Sequence, residues 1–409
     1  MPPAHLRLAF VALVAGAALA TPALAGPDPM AWAPAWIFPV SSNEGPVSPP
    51  RTPTPGMRPD PRGPIGPTVV TDATLTQMFQ VAVGGDRIRL RVSNDRGLTP
   101  LRLGAVTLGS AGEDGKAAAP GLAVTFDGAT GINLPAGSSR LSDPIILPVK
   151  ALDRLAVAVS YPGEAALPAH VVRQWMTTAA DPLPRAMRLG AIAAGLEVET
   201  SAPHPNIIAF GDSITEGVGS TPGQGGWPEA LNARMIAAQS PWTVLNAGLG
   251  GNRLLHQSTG PSALGRLDAD ALAVSNARCL ILMEGINDIG RPTVEAFAHE
   301  AVTTDDITGA YRQIIERAHA RGLRVVGVTL TPFVGAHYYS AKGETLRQAA
   351  NAWIRTSGAF DAVIDFDAIV RDPASPARLR ADYQSGDWLH PSDAGYAAMA
   401  EAIPLDVCD

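Results

Sequence analysis

The sequence predicts two folded units in series, a β-rich unit followed by an α/β unit built on a parallel sheet. Three observations predict it. The chain has 409 residues, more than one ordinary core accommodates, and 46% of them are hydrophobic, enough to build two cores. From about residue 68 to 200, polar and apolar residues alternate with period two, and no long helical stretch intervenes. Past Pro203 and Pro205 the pattern switches to short apolar runs separated by helix-like stretches.

Residues 1–25 read as an export signal. His5 and Arg7 make a short polar start, and residues 8–20 form an apolar run of about a dozen residues, too short to span a bilayer. Ala23-Leu24-Ala25 then offers small residues at the cleavage positions. The mature chain is expected to begin at Gly26 and to be secreted or periplasmic. It should lack a transmembrane segment, because no later stretch reaches about 18 uninterrupted apolar residues. Residues 26–67 are dominated by proline and glycine, as in Pro49-Pro50-Arg51-Thr52-Pro53-Thr54-Pro55, and read as an extended or disordered lead. Trp32 and Trp36 stand out in it; they either pin the N-terminus onto a domain, the plainer reading, or stack on a ligand.

In the β-rich unit, residues 68–200, Arg87-Ile88-Arg89-Leu90-Arg91-Val92 alternates as a half-exposed strand does, and Gly84-Gly85-Asp86 ahead of it reads as a hairpin turn. Further strand-like runs lie at 101–108, 122–126, 145–149 and 155–161. Asp127-Gly128, Pro135-Ala136-Gly137 and Tyr161-Pro162-Gly163 punctuate them. That spacing predicts a β-sandwich or jelly-roll-like domain.

In the last unit, residues 201–409, apolar runs at 207–210, 243–245, 279–283, 325–330 and 362–364 alternate with helix-like stretches such as 227–238, 306–320 and 344–357. Strand–helix repetition implies a parallel sheet covered on both faces, with ligands bound beyond the carboxyl ends of its strands. The net charge of -7, without any basic run, argues against a nucleic-acid or anionic-membrane surface. The two cysteines, Cys279 and Cys408, either pair in an exported chain, tying the tail to the core, or stay as separate thiols. Neither has a His or Asn placed as a catalytic cysteine requires.

Four short segments carry candidate chemistry. Gly211-Asp212-Ser213-Ile214-Thr215 follows the first α/β strand, so Ser213 sits where strand gives way to helix, as a nucleophile in need of a base or as a helix cap. Asn246-Ala247-Gly248-Leu249-Gly250-Gly251-Asn252 follows the second; its glycines let the backbone approach a ligand and aim an N–H at it. Gly285-Ile286-Asn287-Asp288 follows the third, where an Asn amide can donate to a developing oxyanion or close a turn. Asp387-Trp388-Leu389-His390-Pro391 precedes the last helix-like stretch, with Asp and His three apart so that Asp387 can hold one ring nitrogen while the other faces Ser213.

Each segment alone is weak, but the four in this order resemble the SGNH hydrolase superfamily, which includes the GDSL esterases and lipases. The family's Ser, Gly, Asn and His fall on Ser213, Gly251, Asn287 and His390, and its aspartate on Asp387. The glycine assignment lies between Gly250 and Gly251; Gly251 is chosen because it directly precedes Asn252. The resemblance covers roughly residues 205–404 and extends through Gly260-Pro261-Ser262-Ala263-Leu264 and Thr329-Leu330-Thr331-Pro332-Phe333. The chain as a whole resembles bacterial exported two-part hydrolases of this type. The resemblance implies a flavodoxin-like three-layer domain and a serine esterase. Ser213 attacks, His390 takes its proton, Asp387 orients the ring, and an oxyanion hole is formed by the N–H groups of Ser213 and Gly251 and the amide of Asn287.

No cofactor or metal is expected: the sequence has no His-Glu-x-x-His, no Cys/His cluster and no phosphate loop with a lysine. Asp212, Glu284 and Asp288 read as structural neighbours of the motifs. Trp227, Phe333, Tyr338, Tyr339 and Trp388 are candidates for the pocket wall or, singly, for the core. The expected substrate is a small-molecule or glycan ester, with glycan deacetylation or short-chain esters in view. Two other classes stay open: acyl transfer to a sugar hydroxyl, and a carbohydrate-binding protein with an inert hydrolase domain. The oligomeric state is not legible.

Overall fold

The computed structural model describes residues 30–41, 65–66, 68–201, 204–257 and 259–409. The expected signal segment and most of the Pro/Gly-rich lead lie outside the described residues.

The N-terminal unit consists of two large antiparallel sheets around one core, with a small two-stranded sheet of Leu101–Leu103 and Ile132–Leu134 beside them. In one, Ala31–Ile37, Ala193–Thr200, Gly85–Asn94 and Ser138–Leu141 follow in order, with Ile145–Val149 also on Gly85–Asn94. In the other the order is Arg185–Gly190, Val171–Thr178, Val69–Gln80, Arg154–Ala166, Val106–Ser110, Leu122–Val124. Alternation decides which residues enter the core. Ile88, Leu90 and Val92 point inward against Leu75, Val157 and Leu196. Arg87 and Arg89 point outward, where they pair with Glu199 and Glu197 of the adjacent strand at 3.1 and 2.5 Å. Each aliphatic side chain so buried contributes roughly 1.5–3 kcal/mol.

One segment departs from its expected place. Ala31–Ile37, inside the stretch read as lead, is an edge strand on Ala193–Thr200. Its proline is tolerated because an edge strand has one unpaired side, and the register shifts between Pro34 and Trp36. Trp32 lies under the Arg89 guanidinium, 4.4 Å from its ring centroid. The run expected at 101–108 is two strands, Leu101–Leu103 and Val106–Ser110, because Gly104 turns to donate its N–H to Ser160 rather than to continue one ladder.

In the α/β unit we number the parallel strands β1 (Asn206–Gly211), β2 (Thr243–Gly248), β3 (Ala277–Met283), β4 (Arg324–Val328) and β5 (Ala362–Ile364). They lie in the order β2-β1-β3-β4-β5, all parallel, which is the flavodoxin-like order. Ile207 to Phe210 and Leu280 to Met283 are buried without alternation, as a sheet covered on both faces demands. The helices are α1 (Ser213–Glu216), α2 (Trp227–Ala237), α3 (Ala263–Leu267), α4 (Ile286–Gly290), α5 (Thr304–His319), α6 (Ala341–Thr356), α7 (Phe366–Val370) and α8 (Asp393–Glu401). In α5, Ile307, Tyr311, Ile314, Ile315 and Ala318 recur at helical spacing and face the core, and a Thr303–Asp306 capping box starts the helix. Among the described residues, no helix is long and apolar enough to cross a membrane.

Ile37 and Ala82 pack against the α/β core, and polar contacts also join the units. Arg96 pairs with Asp270 at 3.2 Å, Asn232 donates to the Ala82 carbonyl at 3.0 Å, and the buried His170 ring meets Glu216 at 3.3 Å.

Cys279, on the central strand β3, is bonded to Cys408, 129 residues away. Loop-closure entropy alone would give about 5 kcal/mol for so long a loop, and bridges typically contribute about 2–4 kcal/mol, so Cys408→Ala should lower the unfolding free energy by about 2–5 kcal/mol. Urea denaturation with and without reductant checks it. Equal midpoints for wild type, reduced wild type and variant would show that the tail is held without the bridge.

Candidate active site

The order β2-β1-β3 places a switch point at β1, and three of the four motif segments leave the carboxyl ends of these three strands. Ser213 is the first residue of α1, whose N-cap is Asp212; the Asp212 carboxylate accepts from the Ile214 N–H at 2.8 Å. As a first-turn residue, Ser213 has a backbone N–H without an intrahelical acceptor. Its side chain is nearly enclosed, the residue being 7% exposed.

Ser213 Oγ lies 2.8 Å from His390 Nε2, and His390 Nδ1 lies 2.6 Å from Asp387 Oδ2. The turn that brings the last pair together is held by Asp387 itself, whose Oδ1 accepts from the backbone N–H groups of Leu389 and His390 at 3.0 and 2.9 Å. Burial opposes charge on Asp387, but the His390 ring and these N–H donors hold its carboxyl well below the usual range. An ionised carboxylate only accepts, so Nδ1 carries a proton and Nε2 of the neutral ring is left to accept from the serine hydroxyl.

The second and third segments converge on the same point. Gly251 adopts φ +76°, and a Cβ there would come within 2.9 Å of Arg291 Nη2 and Thr259 Oγ1. Gly250 faces the other way: a Cβ on it would meet Glu216 Oε2 at 2.6 Å. The pair is thus distinguished by direction, with Gly251 on the side of Arg291. Asn287 donates from Nδ2 to the Asn252 carbonyl at 2.9 Å and accepts from Tyr338 Oη at 3.3 Å, so its amide plane is held from both ends. Asp288 receives the Leu254 and Leu255 N–H groups at 2.7 and 3.1 Å, lacing the third segment to the second. Trp227 and Phe333 are core residues, whereas Tyr338 touches Asn287 and the half-buried Trp388 stands beside His390 with Arg378 over its ring at 3.6 Å.

Beneath these loops sits a residue that sequence reasoning missed. Arg266, on α3, is fully buried. It donates to the Gly211 and Ala247 carbonyls at 2.8 Å each and to Asn252 Oδ1 at 2.6 Å, and lies 4.0 Å over the Phe210 ring. Asp270 pairs with it at 3.5 Å, and the Glu284 carboxyl lies 3.7 Å away. No motif marks it; an arginine in a short helical stretch reads as a surface charge. Around it, burial pushes the Asp212 carboxyl up to about 7 and Asp288 up to about 6, against the N–H donors that favour their charged forms. Burial, and then the charge of Asp212, raise Glu284 well above the carboxylate range.

A serine, a histidine and an aspartate in hydrogen-bonded series at the switch point of a parallel sheet define a hydrolase-type site. Residues 209–398 match the GDSL-like lipase/acylhydrolase family. The matched part of the chain carries a GDSL-like lipase/acylhydrolase domain of the SGNH/GDSL type, which supports an ester hydrolase. Solved structures similar to the chain include an acetylxylan esterase from Geobacillus stearothermophilus, at 21% identity over 48% of this chain and 91% of that one, TM-score 0.38. Others are an aryl esterase of M. smegmatis, at 16% over 48% and 95%, TM-score 0.38, and a GDSL-like lipase from Bacteroides thetaiotaomicron, at 18% over 49% and 87%, TM-score 0.37. No curated protein matches the chain.

The raised carboxyls have a measurable consequence. From the ordinary value of 3.8 up to about 6 for Asp288 and about 7 for Asp212, the fold keeps a proton that the unfolded chain has lost. Their contribution to stability therefore falls as pH rises through that window. Asp387, being depressed, loses its contribution only as pH falls below the ordinary carboxylate value, outside this window. Asp212→Asn, which cannot titrate, should flatten the decline in unfolding free energy between about pH 4 and pH 7. Parallel slopes for wild type and variant in urea melts across that range would mean that Asp212 is ionised throughout.

Proposed function

We propose that the protein hydrolyses carboxylic esters through an acyl-enzyme on Ser213, with His390 as base and Asp387 as its orienting partner. The observation that carries this reading is the continuous series Asp387 Oδ2, His390 Nδ1, His390 Nε2, Ser213 Oγ at 2.6 and 2.8 Å. As Ser213 Oγ attacks the carbonyl carbon, its proton passes to Nε2 and the carbonyl oxygen becomes an oxyanion. The N–H groups of Ser213 and Gly251 and the Asn287 amide are the donors assigned to it. Collapse expels the alcohol, which takes the proton from the imidazolium. Water, deprotonated by the same ring, then attacks the acyl-serine and releases the acid.

The site favours a short acyl group, because Ser213 and Asn287 are only 7% and 5% exposed. We assign the substrate class as short-chain esters of small molecules or glycans. The Cys279–Cys408 bridge fits a secreted or periplasmic protein, since such bonds persist in oxidising compartments.

Ser213→Ala and His390→Ala should each lower kcat on a chromogenic acetyl ester by about 10,000-fold or more while leaving the fold intact. Asn287→Ala should lower kcat about 100- to 1,000-fold with little change in KM, since its donor matters most in the transition state. Steady-state kinetics over esters of increasing acyl length measures both effects. Full activity in Ser213→Ala would remove the assignment, and a KM effect alone would make Asn287 a substrate-binding group.

A further inference from the structure

We propose that a cavity between the two domains binds a single neutral sugar ring, at a site separate from Ser213. The cavity, of ≈ 180 Å³, lies where the end of Val69–Gln80 and the Trp36–Phe38 segment meet the back of the nucleophile and oxyanion loops. Glu216, the last residue of α1, and Gly248, the last of β2, belong to its wall; Ser213, Asn287 and His390 do not. Sites for drug-sized ligands run to roughly 300–1,000 Å³, so this one suits one ring rather than a chain.

Gln77 is the pointer. It lies on the inward face of its strand, between Leu75 and Phe79, and is 4% exposed. Among the described residues its side-chain amide has no hydrogen-bond partner, yet its polar atoms are not sealed off, and the residue lines the cavity. An amide left unmatched in such a position costs about 1–3 kcal/mol unless something in the cavity meets it. A leucine would fit the pattern of that strand face better, so the polar group has a use that packing does not supply.

The other walls define what meets it. Arg154 supplies donors, and Glu216 and Glu229 supply acceptors. Glu229 is already engaged by the Gly226 N–H and Asn246, and Glu216 faces His170. Vicinal hydroxyls meet this mixture by donating to the carboxyl oxygens and accepting from the guanidinium at once. Trp36 and Phe38 give an apolar wall, held rigid because Trp36 stacks on Phe79 at 4.0 Å and Phe38 on His170 at 4.3 Å. A neutral ring with hydroxyl edges and C–H faces matches amide, charged and aromatic walls together; a flat hydrocarbon leaves Gln77 unmet. The inference does not rest on the esterase reading, because no step of hydrolysis enters it.

The test titrates the full-length protein with unesterified glucose, xylose and N-acetylglucosamine by calorimetry, for wild type, Gln77→Leu and Arg154→Leu. At least one sugar should bind wild type saturably with one site, and each variant should weaken it about tenfold or more, the equivalent of one buried hydrogen bond to the ligand. Gln77→Leu should unfold at the same temperature as wild type or higher, since no protein partner is lost, and both variants should hydrolyse an aryl acetate as wild type does. The proposal is overturned if no sugar binds saturably, or if both variants bind as wild type does. It is equally overturned if a phosphonate on Ser213 abolishes binding, which would place the sugar in the ester site. A marked fall in the unfolding temperature of Gln77→Leu would make Gln77 a packing residue and also overturn it, and Arg154→Leu carries the binding test should Gln77→Leu not fold. Absence of esterase activity in wild type would leave the titration untouched, so the two readings fail separately.

Discussion

One buried guanidinium holds the reactive edge of the sheet in register. At the carboxyl ends of β1 and β2 the Gly211 carbonyl accepts from the Leu249 N–H at 2.9 Å, and the Gly211 and Ala247 carbonyls both accept from a buried side chain as well. Arg266 supplies both side-chain donors from one planar fork and spends its Nε on Asn252. The backbone of Asn252 in turn receives the Asn287 amide. Arg266 thus ties the loop of Ser213 to the loop of Gly251, and Asn287 and Asp288 tie that loop to the helix of Asn287. Three flexible loops could not hold hydrogen-bond donors to within a fraction of an ångström without such a tie. The electrostatic side is equally constrained. A buried positive charge needs nearby carboxylates, and Asp270, Glu284 and Asp212 surround it while burial drives protons onto the last two.

The β-sandwich reaches the same framework from outside. Asp270, which neutralises Arg266, is also gripped by Arg96 of the sandwich at 3.2 Å. His170, on the segment between two sandwich strands, meets Glu216 at the far end of the helix that begins with Ser213. The accessory domain thus braces both the arginine that ties the loops and the helix that carries the serine.

Much of this was legible in the chain. The five parallel strands coincide with apolar runs because a sheet covered on both faces has no polar alternation to obscure it. Ser213, Asn287, Asp387 and His390 fall on motif positions, and the structure brings Ser213, His390 and Asp387 into hydrogen-bonded series and Asn287 into the adjoining loops. Gly251 was chosen over Gly250 from its place directly before Asn252, and the two differ in backbone conformation and in what a Cβ on each would meet. Arg266 was invisible because its partners are main-chain carbonyls, which leave no trace in sequence. Ala31–Ile37 was hidden by the proline-rich stretch around it, since an edge strand tolerates a proline that a central one would not. The Cys279–Cys408 bond depends on the C-terminal segment folding back onto β3, a long-range fact that no local pattern carries.

That Ser213 is the residue that becomes acylated is tested most directly by chemistry on the intact protein. Incubation with an aryl alkylphosphonate, which transfers its phosphonyl group to an activated serine with loss of the phenol, should add one group per chain. Peptide mass mapping should place it on the segment containing Ser213, with loss of ester hydrolysis in proportion to labelling. Loss of activity with the label on another residue, or hydrolysis that persists after stoichiometric labelling of Ser213, would contradict the assignment.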